Sequence, residues 1–390
     1  NGDELRPPGS DIGAGQIISS NSAGLSALIR HWGGEAIDMG IARDGSEKPE
    51  FERGLELHAK YTFFAEGARG HLTKQLKPKF GLDSDCEPQI YGLGIKELWD
   101  IDPELHEPGK VIHTQGWPLD EANGGGFLYH QANGQVALGF VTWLNYANPY
   151  LSPFEEMQRW KTHPDIRAIL EGGKRVSYGA RAIAKGGLNA LPKMSMPGAL
   201  LVGCDAGTLN FAKIKGTHTA MKSGMIAAEA VFEAISNQSV IANYHKHFKQ
   251  SWLYEELYQA RNFSSGIHRF GSWLGGSLAM LEHNVLKGKA KWNVRCDSAD
   301  HQSLLLAEKS HQISYPKPDG VLSFDRLSSV YLSNIFHEED QPCHLRLASQ
   351  RIPIEQNLEL YAEPAQRYCP AGVYELIQGE EQTELQINAA

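Results

Sequence analysis

The chain has 390 residues, 41% of them hydrophobic and 21% charged, with 46 acidic against 37 basic side chains and a formal net charge of −9. That is ample apolar material for a sizeable core and excludes a disordered chain; at roughly 150 residues per domain it predicts two or three domains. The acidic balance argues against nucleic acid as the partner, because phosphate binding needs clustered Lys and Arg, and no run of about 18 apolar residues supplies a membrane-spanning helix.

Five cysteines, Cys86, Cys204, Cys296, Cys343 and Cys369, show no C-x-x-C spacing. An odd, scattered set does not read as a secreted disulfide framework and points to a reducing compartment. The polar start, Asn1 to Arg6, is followed by no apolar signal region, and the missing initiator Met suggests a fragment or a processed start.

Up to Gly24 the chain is rich in Gly, Ser and Asn; Leu25–Trp32 then has helical spacing of apolar residues. Leu55–Ala65 reads as a strand, alternating at first and then a short buried run, and stops at the turn Glu66-Gly67-Ala68-Arg69-Gly70. From Gly92 to Leu144 short β segments such as Lys110–Trp117, Gly126–His130 and Gln135–Trp143 alternate with turn signals and predict an antiparallel sheet. Within it, Asn123-Gly124-Gly125-Gly126-Phe127 offers uncluttered backbone and an apolar wall to a flat ligand, or is a loose hairpin turn. Pro153–Trp160 and Pro164–Leu170 read as short helices.

Ala199–Gly203 is a compact apolar strand, and a long small-residue helix is expected from about Thr219 to Ile235. The loop between them holds Asp205, Gly207, Lys213, Lys215, Gly216, Thr217 and His218. A carboxylate past a strand end can accept hydrogen bonds from ribitol or ribose hydroxyls, and the N–H groups opening the helix favour an electron-rich ring. An ordinary βα unit with a polar loop accounts for the pattern equally well. Residues 251–292 read as helical; Phe270–Leu286, broken by Glu282, His283 and Asn284 and followed by Lys287, Lys289 and Lys291, suits either an interfacial membrane helix or a core helix. Residues 301–390 are polar and turn-rich, and in Tyr368-Cys369-Pro370 a lone Cys precedes Pro, as around iron–sulfur ligands or as a buried small side chain. The histidines form no metal-spaced pair, no G-x-S-x-G, P-loop or kinase signature occurs, and Gly13-Ala-Gly15 is a poor dinucleotide fingerprint.

In order along the chain, Phe51–Lys60, Phe64–Gly67, Tyr91–Trp99, Gly116–Asp120, Asn148–Pro153, Leu170–Lys174, Lys213–Gly224, Tyr315–Gly320, Asp340–Pro342 and Cys369–Glu375 resemble the electron-transfer flavoprotein–ubiquinone oxidoreductase family, from about Gly40 to the end. The resemblance implies electron flow from reduced electron-transfer flavoprotein through a 4Fe-4S cluster and FAD to ubiquinone. It places Glu66, Gly67, Asp205, Gly207, Lys215, Gly216, Thr217 and His218 against FAD, Gly124 and Gly125 against the quinone, residues 267–286 in a membrane-inserted helix, and Cys369 as the first cluster ligand; no side chain is assigned a catalytic role.

It further implies a mixed α/β and α+β fold: a partial FAD-binding (glutathione-reductase-like) domain, with an inserted quinone-binding antiparallel sheet domain and a partial ferredoxin-like tail. The expected divisions are 1–72 and 191–250 for the FAD domain, 73–190 for the ubiquinone domain, 251–300 for a membrane-surface region and 301–390 for the tail. The protein is expected to be monotopic on the inner membrane, facing the cytoplasm in a bacterium or the matrix in a mitochondrion.

Three features depart from the family pattern: no G-x-G-x-x-G opens the chain, no C-x-x-C-x-x-C run follows Cys369, and Asn123 stands where an aromatic is usual. Four thiolates hold an all-Cys cubane, so this chain is expected to retain FAD weakly and to assemble no cluster, which a visible spectrum checks. The alternatives are a geranylgeranyl-reductase-like flavoenzyme, against which the tail from Tyr315 to Glu375 argues, and a degenerate, non-catalytic remnant.

Overall fold

The computed structural model describes residues 56–120, 122–335, 345, 347–379 and 383–388, with short strand pieces at 5–6, 17–18 and 35–37. The helix expected at Leu25–Trp32 lies outside the described residues. The chain divides into two compact units. In the first, Leu5–Arg6 pairs in parallel with Ile17–Ile18, and Glu35–Ile37 pairs antiparallel with Glu56–His58. The second unit holds nearly everything else.

The strand expected over Leu55–Ala65 is divided into Glu56–His58 and β1 (Thr62–Phe64), because its halves join different sheets. Leu57 and Phe63 are exposed, so the anticipated buried run is absent. Helix α1 (Thr73–Phe80) follows and ends on left-handed Gly81.

The antiparallel sheet is present. Strands β2 (Tyr91–Asp100), β3 (Val111–His113), β4 (Gly124–His130), β5 (Gln135–Trp143) and β6 (Lys174–Ala184) lie in the order β6-β2-β5-β4-β3 with every pair antiparallel. The three glycines fall inside β4 and pair with Thr142, Val141 and Phe140 of β5, so the hairpin-turn reading is excluded. Pleating sends Leu93, Ile95, Glu97 and Trp99 of β2 to one face, where Leu128, Val136, Leu138 and Phe140 join them.

Helices α2 (Pro153–Lys161) and α3 (Pro164–Leu170) cover that face with Phe154, Met157, Trp160, Ile166 and Leu170. Both helices match the sequence reading. The side chain of Ser152 accepts from the N–H of Glu155, Pro153 opens the first turn, Glu155 and Glu156 sit at the positive end, and Arg159 and Lys161 at the negative end.

Downstream, β7 (Ser195–Met196) and β8 (Ala199–Leu201) lead through a 3-10 turn at Gly203–Asp205 to α4 (Thr217–Ser236). The strand is shorter than expected, stopping before left-handed Gly203 (φ 62°), whose N–H donates to the Ser223 hydroxyl, and the helix starts earlier, at Thr217. Helices α5 (Tyr244–Lys249), α6 (Trp252–Gln259), α7 (Phe263–Phe270) and α8 (Gly276–Leu281) follow, with wide π turns at 271–275 and 282–286. In the tail, α9 (Arg326–Tyr331) and α10 (Ala365–Tyr368) precede a hairpin of β9 (Tyr374–Gln378) and β10 (Thr383–Ile387). Among the described residues no helix is long and apolar enough to cross a membrane.

The core under the sheet carries a buried ionic knot. Glu97 accepts two bonds from Lys161 Nζ at 2.9 and 3.0 Å, one from Arg175 at 3.3 Å and one from Trp99 Nε1 at 2.8 Å. Arg175 also donates to the Ser329 hydroxyl of α9 at 2.6 Å and lies 3.7 Å from the Phe324 ring centroid, so the knot reaches the tail. Burial pushes the Lys161 ammonium below the usual lysine range, and Glu97 opposes that. Glu97→Ala strands two buried cations and is expected to cost about 3–5 kcal/mol, read from urea denaturation. Replacing Glu97, Lys161 and Arg175 together by Leu, Met and Met should recover most of that loss; a cost under about 1 kcal/mol for Glu97→Ala would show that the charges are hydrated instead.

Candidate functional site

Asp205, at the bend between β8 and α4, is only 4% exposed. Its Oδ2 accepts from the Thr73 hydroxyl at 2.7 Å, while buried Oδ1 has no hydrogen-bond partner. Glu66 accepts from the N–H groups of Leu72 and Thr73 at 3.1 and 2.9 Å, thereby capping α1, and its Oε2 lies 3.0 Å from the same Thr73 hydroxyl. One hydroxyl hydrogen cannot serve two carboxylates, so the pair shares a single donor. Burial raises the Asp205 carboxyl pKa and the neighbouring Glu66 charge adds to this, against the Thr73 bond. Desolvation acts to raise Glu66 too, but the two backbone N–H bonds win and hold it below the usual range. Gly70 must lack a side chain, since a Cβ there would lie 2.5 Å from both carboxylates. Left-handed Gly67 (φ 95°) and Gly207 (φ 91°) flank the pair. An orphaned buried acceptor beside bare backbone suits a sugar or ribityl hydroxyl, so these residues fit the polar part of a flavin nucleotide.

The loop from Ala206 to Gly216 is tied down at its base. Asn210 and Lys215 exchange backbone bonds at 3.1 and 3.2 Å. Asn210, Lys213 and His218 converge on Glu256 of α6 at 2.8, 2.8 and 2.7 Å, and the His218 ring stacks on Trp252 with 2° between planes. Those three bonds outweigh desolvation and pull the Glu256 pKa to about 2. His218 therefore anchors the loop. Gly216 sits at the N-cap of α4 without a side-chain cap, and Thr217 opens the helix, so the first N–H groups are left to other partners.

The same loop carries the chain to an apolar slot of about 380 Å³. Gly124–Phe127 form one wall, Phe211, Ala212 and Ile214 another, and Trp143, Ile183, Phe263, Ile267, Trp273 and Met280 much of the rest. Gly124 and Gly125, expected beside the quinone, and the 205–218 loop are thus brought together. Fully buried Lys185 lies behind this wall, its unpartnered Nζ 3.1 Å from the Trp143 ring centroid and 5.5 Å from that of Phe211. Burial drives that amine well below the usual lysine range, against Asp300 and Cys296. At the slot's edge Trp273 is 91% exposed, and Leu274, Leu278, Met280, Leu281 and Val285 are exposed as well, so the core-helix reading of 270–286 is excluded.

Cys369 is buried and its sulfur accepts from the N–H of Val373 at 3.4 Å; next to it, the Pro370 carbonyl accepts from Tyr178 at 2.9 Å. Among the described residues no three His, Cys, Asp or Glu gather as metal ligands. Sequence reasoning missed Thr73, Lys185, Trp143 and Phe211, as well as His113 in the slot lining. Only the aromatic content near 143 and 211 signalled any of them.

Two family models match: "ETF-QO, ubiquinone-binding" over residues 91–183 and "Electron transfer flavoprotein-ubiquinone oxidoreductase, 4Fe-4S" over residues 320–390. The electron transfer flavoprotein-ubiquinone oxidoreductase of Pseudomonas aeruginosa is 56% identical over 90% of this chain and 65% of its own length. The probable one of Acinetobacter baylyi is 52% identical over 90% and 66%, and the mitochondrial protein of Bos taurus 50% identical over 90% and 59%. The chain therefore spans somewhat less than two thirds of these relatives. Among solved structures, a geranylgeranyl bacteriochlorophyll reductase-like protein of Thermoplasma acidophilum aligns with a TM-score of 0.45 at 16% identity, over 77% of this chain and 75% of that one.

The glycines of β4 are demanded by packing as well as by the slot. A Cβ on Gly125 would lie 2.2 Å from the Thr114 carbonyl oxygen, and one on Gly126 2.4 Å from the Trp160 ring. Alanine at either position is expected to cost about 1–3 kcal/mol in thermal or urea unfolding. Gly179→Ala on β6, where no atom lies within 4 Å of the added carbon, should stay within about 0.5 kcal/mol. Equal effects at the three positions would contradict the packing explanation.

Proposed function

We propose, from the premise that the chain belongs to the electron transfer flavoprotein–ubiquinone oxidoreductase family, that the protein it represents passes electrons from reduced electron-transfer flavoprotein to ubiquinone at a membrane surface. In this reading residues 1–72 and 191–250 belong to a partial glutathione-reductase-like FAD domain, 73–190 to the ubiquinone domain, 251–300 to the membrane-surface region and 301–390 to a partial ferredoxin-like tail. Cys369 contributes to a 4Fe-4S cluster.

The observation that carries the reading is the slot. It is apolar, bounded by bare backbone of β4, and opens beside an exposed apolar helix edge, which is what a flat ring with a lipid tail requires. The segments Glu66–Gly67, Asp205–Gly207 and Lys215–His218 would hold FAD, which supplies reversible electron exchange when bound. Asp205 accepts a ligand hydroxyl, Thr73 holds that carboxylate in place, and the opening N–H groups of α4 face developing negative charge. Trp143 and Phe211 exclude water. The exposed residues Trp273, Leu274, Leu278, Met280 and Leu281, followed by Lys287, Lys289 and Lys291, suit insertion into one leaflet of an inner membrane, on the cytoplasmic side in a bacterium or the matrix side in a mitochondrion.

A short-chain, water-soluble ubiquinone analogue is expected to quench the fluorescence of Trp143 and Trp273 saturably. Ala212→Phe, which fills the slot from its loop side, should weaken that binding at least tenfold; quenching that never saturates, or that ignores Ala212→Phe, would sink the reading. Separately, Trp273→Ala with Met280→Ser should lower sedimentation with phospholipid vesicles roughly tenfold or more, given about 1.5–3 kcal/mol per large apolar side chain removed from water. Unchanged sedimentation would remove this helix from the membrane contact.

A further inference from the structure

Among the described residues lining the slot, His113 is the only one whose side chain ionises; the rest are apolar, glycine, hydroxyl or amide. Reducing a quinone to a quinol places a hydrogen on each of two oxygens, so a slot of this composition has one candidate donor in its own wall. His113 ends edge strand β3 directly opposite Phe127 of β4. Its Nε2 lies 2.9 Å from the Tyr129 hydroxyl oxygen, and that oxygen also accepts from Lys215 Nζ at 3.1 Å.

One set of hydrogen positions that the inventory of donors permits links all three groups. An ammonium only donates, so the Tyr129 oxygen accepts from Lys215. The phenolic hydrogen can then be directed at Nε2 of His113; in that arrangement, the one a relay requires, Nε2 is an unprotonated acceptor and the neutral imidazole carries its hydrogen on Nδ1. A neutral ring is what the site favours: desolvation lowers the His113 pKa first, and the Lys215 charge lowers it further. Lys215, at the far end, is exposed to solvent.

We propose that Lys215, Tyr129 and His113 form a proton relay that recharges from water and delivers hydrogen to a quinone reduced in the slot. The inference rests on the quinone reading above. For each electron that reaches the quinone, an O–H bond forms as Nδ1–H of His113 breaks. The Tyr129 hydrogen moves to Nε2, a Lys215 hydrogen moves to Tyr129, and the neutral Lys215 amine takes a proton from water. The imidazole ends in its other tautomer and regains Nδ1–H when the ring hydrogens re-equilibrate with water; two passes deliver the two protons of a quinol. Lys185, the other amine nearby, is sealed behind the Trp143 ring and does not line the slot.

Nitrogen-15 NMR of histidine in this chain tests the resting state without any cofactor. His113 is expected in the Nδ1–H form, with Tyr129→Phe moving it toward a mixture of tautomers; a dominant Nε2–H form that ignores Tyr129→Phe overturns the relay. In the cofactor-loaded protein, driven by an artificial donor, Tyr129→Phe is expected to lower turnover of the soluble quinone at least tenfold, while affinity in the fluorescence titration changes less than about threefold. His113→Gln should lose about a hundredfold and be partly restored by added imidazole. Binding retained with turnover unchanged in His113→Gln overturns the relay alone, whereas an analogue that fails to bind the unsubstituted protein overturns the quinone reading and the relay with it.

Discussion

Everything in the second unit depends on a five-stranded sheet that is loaded on both faces. Alternation along a strand assigns successive side chains to opposite sides, and here the two sides do different work. Leu93, Ile95, Glu97 and Trp99 of β2 face α2 and the tail, in a core dense enough to enclose a buried ion knot. Gly92, Val141 and Ile183 belong to the opposite face, where a Cβ on Gly92 would press on both neighbours and the slot opens beside them. A one-residue slip in register would exchange the faces and destroy both. The glycines of β4 are the tightest expression of this, with a carbonyl oxygen within 2.2 Å of a would-be Cβ on Gly125 and a tryptophan ring within 2.4 Å of one on Gly126.

What the amino-acid order reveals follows from how far apart the partners are. The helix over Pro153–Lys161 was legible because its signals are local: Ser152, Pro153 and two glutamates lie within four residues. The antiparallel sheet was legible because alternation and turns are local as well. The knot was not. Glu97 and Arg175 are 78 residues apart, and Arg175 and Ser329 a further 154. No period or spacing relates them, and each alone reads as an ordinary surface charge. The same holds for Thr73 and Asp205, separated by 132 residues yet joined at 2.7 Å.

For the site, Glu66 and Asp205 meet at Thr73, Gly124 and Gly125 line the slot with Phe211, Ala212 and Ile214, and Cys369 lies in the tail; two of the named residues have work of their own. Glu66 caps α1, and His218 pairs with Glu256 and stacks on Trp252. A residue that anchors a loop and a residue that touches a ligand look alike in one sequence, because both are polar, lie in a loop and follow a strand. The 123–126 segment shows the opposite error. Three successive glycines favour a turn on local grounds, yet tertiary packing holds them extended in the middle of a sheet.

The distribution of charge around the slot is the last constraint. An apolar cavity strengthens any electrostatic interaction made across it, since little water screens it. A full charge inside would therefore either bind ions or collapse to its neutral form. Here the two amines are set one layer back: Lys185 behind the Trp143 ring and Lys215 beyond Tyr129. Aromatic faces carry negative potential, so each ring holds its amine while keeping water out of the cavity. The slot thus stays apolar enough for a lipid-like ring, yet remains within reach of positive charge and exchangeable hydrogen. Among the described residues its wall contains one imidazole, that of His113, and no carboxylate.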